Sequence, residues 1–166
     1  MKSSVCSEFI HHLDRDGSLA CGNAPAKIQK WLERLKLPMD LLCLMRWDWP
    51  QTDGRIVHID IKSSASIHAD EATALLLPHK LINVGSAPNG DWFVIDFSTE
   101  AAVPGFITHE EWSPWSEPPN DPRKLFQPIA RSFDSFLYRA VEDRYLPTDY
   151  YAARDFNAFI ADERSA

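Results

Sequence analysis

Residues 81–110, LINVGSAPNGDWFVIDFSTEAAVPGFITHE, constrain the fold more than any other part of the chain. The pivot of this stretch is Asn89-Gly90. Both residues tolerate the positive φ of a tight turn, so this pair between two apolar runs predicts a hairpin with a two-residue turn. On the exit side Phe93, Ile95 and Phe97 alternate onto one face, which must be buried. Trp92, Val94 and Asp96 share the opposite face, which is partly covered. After a turn at Ser98-Thr99-Glu100, residues 103–109 are expected to return as a further strand. Pro104 and Gly105 put its start at an edge or a bulge, because proline offers no ladder donor.

The segments around this sheet read as its cover. Pro25 suits a first helical position, and Ile28, Trp31, Leu32 and Leu35 follow at i, i+3, i+4 and i+7, with Lys27, Lys30, Glu33 and Arg34 on the wet side. Leu37-Pro38 opens a second short helix with Leu41, Leu44 and Met45 inward. A loop over 47–54 leads into a strand over 55–61, in which Val57, Ile59 and Ile61 point to the core and Ile56, His58 and Asp60 to a wetter side. A helical turn is expected over 70–77, stopped by Pro78. Residues 110–128, with Trp112, Trp115 and five prolines, read as a long stiff loop. Ser132 caps a helix with Phe133, Phe136, Leu137, Ala140 and Val141 as its apolar stripe. Leu146-Pro147 breaks it, and Thr148 or Asp149 caps a last helix carrying Ala152, Phe156, Phe159 and Ile160. Phe9, Ile10 and Leu13 allow another short helix before Asp16-Gly17.

A chain of 166 residues is long enough for one sizeable core, and no linker divides it. Its net charge of -7 argues against nucleic acid or an anionic membrane as a direct partner. Residues 51–130 hold eleven acidic against five basic groups, a footprint for a basic protein partner. Ordinary solubility is the plainer reading of the same acidity. The three cysteines, Cys6, Cys21 and Cys43, lack the spacing of a disulfide framework and are expected to be free thiols in a reducing cytosol. The opening MKSSVCSEFIHHLDRDG has no apolar segment of a signal peptide, and no apolar run approaches a membrane span. The cytoplasm is the expected compartment.

The order of motifs over residues 24–146 resembles the SUKH (Smi/Knr-like) superfamily. The front half has an early helix, Leu37-Pro38 opening a second, an Asp53-Gly54 loop and a strand. The back half carries Val84-Gly85, Gly90-Asp91, Ile95-Asp96-Phe97, a strand ending at His109-Glu110, and then Ile129-Ala130-Arg131-Ser132-Phe133-Asp134-Ser135-Phe136-Leu137. The resemblance implies a single α+β domain over 1–166, a mostly antiparallel sheet flanked by N-terminal and C-terminal helices, here extended by an extra helix over 148–162. Bacterial members are commonly immunity proteins that bind and neutralise a cognate toxin, often a nuclease. The resemblance therefore implies a non-enzymatic cytosolic protein without cofactor that occludes a toxin's functional surface. The family also permits an adaptor for a non-toxin protein.

The candidate contact surface is the segment 109–121. Tryptophan supplies anchoring area and carboxylates pair with Lys or Arg of a basic partner. The residues assigned to contact are Glu110, Glu111, Trp115, Glu117 and Asp121, with Asp53 and Glu100 on turns. Trp112, next to a strand end, is expected to fold back onto the sheet, and Asp91 to cap its own turn. The alternative from another class is a metal-dependent hydrolase, which needs His58, Asp60, His68, Asp70, Glu71, Asp96, His109 and Glu110 to converge on a cation. No H-E-x-x-H, paired C-x-x-C or G-x-S-x-G supports it.

Overall fold

The computed structural model describes residues 19–112 and 121–156. The short helix expected around 9–13, and Trp115, Glu117, Phe159 and Ile160, lie outside them. The described chain opens with β1 (Cys21–Gly22), followed by α1 (Ala26–Arg34), α2 (Met39–Trp47) and β2 (Trp49–Pro50), which pairs antiparallel with β1. Pro25 occupies the N-cap of α1, one position before the expected one. Ile28 and Leu32 of α1 and Leu41, Leu44 and Met45 of α2 are buried, as their spacing requires. Trp49 is wholly buried, and its Nε1–H donates to the carbonyl of Lys62 at 2.8 Å, which satisfies the indole.

Six strands then form an antiparallel meander in which each lies beside the next: β3 (Gly54–Ile56), β4 (Ile59–Ile61), β5 (Leu81–Ser86), β6 (Trp92–Asp96), β7 (Val103–Ile107) and β8 (Phe126–Pro128). The architecture is α+β. Between β4 and β5 run α3 (Ser64–Ala69), which the sequence did not announce, and α4 (Glu71–Leu76), which it did. α5 (Phe133–Val141) and α6 (Tyr150–Asp155) follow the sheet, capped by Ser132 and Asp149 as expected.

Three expectations about the sheet need correcting. The strand expected over 55–61 is two strands, because the chain reverses at Val57-His58 and brings Ile56 opposite Ile59. That reversal resets the alternation: Ile56, expected outward, is 1% exposed, and Val57, expected inward, is 51% exposed. The β5–β6 hairpin sits at Asn89-Gly90 as expected, but its connection has three residues. Gly90 N–H donates to the carbonyl of Ala87 at 3.0 Å, Pro88 presets the first central position, and Gly90 takes the left-handed one at φ 95. Finally, β7 is an interior strand. Pro104 pairs with Ile95, and its carbonyl accepts Ile129 N–H at 3.0 Å. The edge on this side is β8, drawn from the segment read as loop, and its Pro128 too lacks a donor.

Both faces of the sheet are covered. Ile61, Ile82, Val84, Phe93, Ile95 and Phe106 belong to the larger core, shared with α1, α2 and α5. Phe93 meets Phe136 of α5 at 5.3 Å and Phe106 at 5.6 Å between ring centroids. On the other face Leu81, Val94 and Ile107 pack under Ala72 and Leu76 of α4 and under Trp112, which meets Trp92 edge-on at 5.9 Å. Trp112 is buried, as expected. Cys43 is a free thiol, as expected. Among the described residues, no helix is long and apolar enough to cross a membrane.

Candidate partner-binding site

The polar groups of the sheet first separate into those that hold the fold and those that face outward. Asp91 is fully buried at the start of β6 and gathers three segments. It accepts the backbone N–H of His109 at 3.1 Å and His109 Nδ1 at 2.8 Å after β7, Tyr150 N–H at 3.0 Å at the first residue of α6, and Asn89 Nδ2 at 2.9 Å. Burial alone would raise its carboxyl. The Asn89 amide, the Tyr150 N–H and the His109 ring and N–H outweigh burial and hold it below the usual carboxylate value. The expected local turn cap is thus a long-range tie.

Three further aspartates are held the same way. Asp70 caps α4 through Thr73 N–H and takes Lys62 Nζ at 3.0 Å and Asn83 Nδ2 at 2.9 Å. Burial raises its carboxyl less than these partners lower it. Asp96 is forked by Arg123, Nη1 at 3.2 Å and Nη2 at 2.7 Å, and again the bonds outweigh burial and depress the carboxyl. This fork fastens the 3₁₀ turn Pro122–Leu125 that leads into β8. Asp53, assigned to partner contact, accepts Ser63 N–H at 2.7 Å beside Ser66 and Lys62. Burial raises its carboxyl, and those groups pull it lower still.

The groups a metal-dependent hydrolase would need point apart. His58 Nε2 lies 2.9 Å from the carbonyl of Pro147, Asp60 pairs with Arg55 at 2.7 Å, and His68 packs edge-on against Trp31. Among the described residues, no three His, Cys, Asp or Glu side chains are grouped to hold a metal ion.

The five described members of the expected contact set do not form one patch. Glu110 and Glu111 are adjacent and exposed just after β7, where Glu110 Oε2 accepts the Tyr151 hydroxyl at 2.7 Å. Glu100 is exposed in the β6–β7 connection, at the opposite end of the strands. Asp121 caps the 3₁₀ turn through Arg123 N–H at 3.0 Å and stands 3.7 Å from His79 Nδ1. Asp53 precedes β3, away from all of them along the sheet.

Around Glu100, however, the fold adds two acids that sequence reasoning left out of the site. Asp40 in the first turn of α2 and Asp134 in the first turn of α5 line the same narrow recess of ≈ 80 Å³ as Glu100. Leu41, Ala102 and Phe133, all buried, supply its apolar lining. Phe133 N–H donates to the carbonyl of Ala101 at 3.4 Å and so ties α5 to the loop carrying Glu100. Two helix N-termini favour negative charge at this spot, so an acidic lining is tolerated there. The only sequence signal was an aspartate in the first turn of each helix, and helix capping accounts for that by itself. Comparison of the chain with protein-family models, curated proteins and solved structures finds no match.

Proposed function

We propose that this chain is a non-enzymatic binding protein of the SUKH type, an immunity protein that neutralises a cognate toxin by covering its functional surface. The observation that carries this reading is the recess bounded by Asp40, Glu100 and Asp134 over an apolar lining. Its volume suits the head of one side chain. A Lys or Arg of a basic partner fits, with its charge among the carboxylates and its methylene stem against Leu41 and Phe133. Glu110, Glu111 and Asp121 add exposed acids outside the recess. In this reading Trp115 and Glu117 belong to the same contact set.

The order of two helices, an antiparallel meander and two closing helices also fits what the resemblance implies. A toxin that acts on nucleic acid must present a basic cleft, and an acidic surface covers such a cleft favourably. Protection of this kind acts in the cytoplasm, where the toxin's target lies. The test is co-expression with the product of the neighbouring gene. Co-purification together with restored growth is expected. A chain that neither co-purifies with that product nor relieves its toxicity contradicts the reading.

A further inference from the structure

Asn89 is exposed, precedes a glycine, and lies directly against the buried Asp91. Its Oδ1 accepts Asp91 N–H at 3.1 Å, so the carboxamide turns back along the chain across the Gly90 peptide. Its Nδ2 donates to Asp91 Oδ2 at 2.9 Å. Gly90 has no side chain to obstruct the approach of its own nitrogen. We propose that Asn89 is a self-modification site, where succinimide formation and hydrolysis place a negative charge beside Asp91 and loosen α6. In the first step the Gly90 N–H leaves the Ala87 carbonyl, its nitrogen bonds to Asn89 Cγ and gives its proton to water, and the amide nitrogen takes up a proton from water and leaves as ammonia. Water then opens the ring at either carbonyl, giving aspartate or isoaspartate, so the net change is gain of water and loss of ammonia.

The consequence follows from what Asp91 holds. The donor Asn89 Nδ2 becomes a carboxylate oxygen facing Asp91 Oδ2, so an attraction becomes a repulsion between like charges. Asp91 Oδ2 is the acceptor for Tyr150 N–H, the first amide of α6. A chain with a converted residue 89 therefore keeps its sheet and loses the tie between the β5–β6 loop and α6. The reaction needs only water and time, so it marks the age of a molecule.

The experiment incubates the intact protein at mildly alkaline pH beside a synthetic peptide covering 86–92, and maps both by peptide mass spectrometry. Conversion at residue 89 in the folded protein is expected, with both aspartate and isoaspartate products and none in Asn89→Gln. An amide that persists in the protein while the peptide converts overturns the proposal, because the fold then shields the site. Hydrogen exchange on Asn89→Asp gives the second readout. The Tyr150 amide is expected to exchange about tenfold faster or more, the scale of one hydrogen bond to a charged acceptor, with β6 unchanged. Equal exchange at Tyr150 in the variant and the unmodified chain overturns the link to α6.

Discussion

Asp91 and Tyr150 stand 59 positions apart in the chain, and a buried carboxylate oxygen of the first accepts the backbone N–H of the second at 3.0 Å. The same carboxylate holds His109 by ring and backbone, so one side chain joins the β5–β6 loop, the end of β7 and the start of α6. Removing it leaves the buried Tyr150 N–H without a partner and frees the two other segments from their anchor. Asp91→Ala is expected to lower unfolding stability by about 3 kcal/mol, since each stranded buried donor costs about 1–3 kcal/mol. Urea denaturation measures it, and a loss under about 1 kcal/mol contradicts the tie.

The pH response has a definite sign. Asp53, Asp70, Asp91 and Asp96 all sit below the reference value of 3.8 in the folded chain. On acidification the unfolded chain takes up these protons first. Their contribution is therefore fully present above the unfolded value and is lost as pH falls through the depressed folded values. The urea midpoint should fall steeply below about pH 4. A midpoint that holds or rises on acidification through that range disproves the assignment.

How much of this was legible in the sequence depends on what each signal measured. Phe93, Ile95 and Phe97 declared a buried face because strand periodicity reports burial directly, and all three are buried. Ser132 and Asp149 declared helix starts because capping is local chemistry. The Val57-His58 reversal was invisible, since neither residue carries turn chemistry and valine resists a left-handed backbone. β8 was masked by the prolines around it and by its length of three residues. The acidic recess could not be read at all: Asp40, Glu100 and Asp134 meet only because two helices start against one loop, which is a property of the tertiary fold.

Val57 offers a test of that hidden turn. Its φ of 56 places a β-branched residue in the left-handed region at an exposed hairpin tip. Such a conformation costs an L-residue about 1–2 kcal/mol, and glycine is free of it. Val57→Gly is expected to raise stability by about 1 kcal/mol in thermal or urea unfolding. A destabilised variant shows that the valine side chain contributes more than its backbone costs.

Gly85 marks a close approach of two strands. A Cβ there would run into the carbonyl of Asp60, backbone atoms of the neighbouring β4 that cannot turn aside. Gly85→Ala should lose about 2–3 kcal/mol, in the range of overpacking, and hydrogen exchange should show the loss concentrated in β3 and β4. Unchanged protection of those strands would remove the close packing from the account.

The acidic recess supports the proposed function, and it is best tested by the association rate with the proposed toxin partner at low and high salt. Asp40→Lys with Glu100→Lys, in a chain whose urea midpoint stays near that of the unmodified protein, should slow association about tenfold or more at low salt. The difference should shrink as salt rises, because steering between opposite charges is screened. An association rate equal to that of the unmodified protein at both ionic strengths would contradict the claim that this recess receives a basic partner.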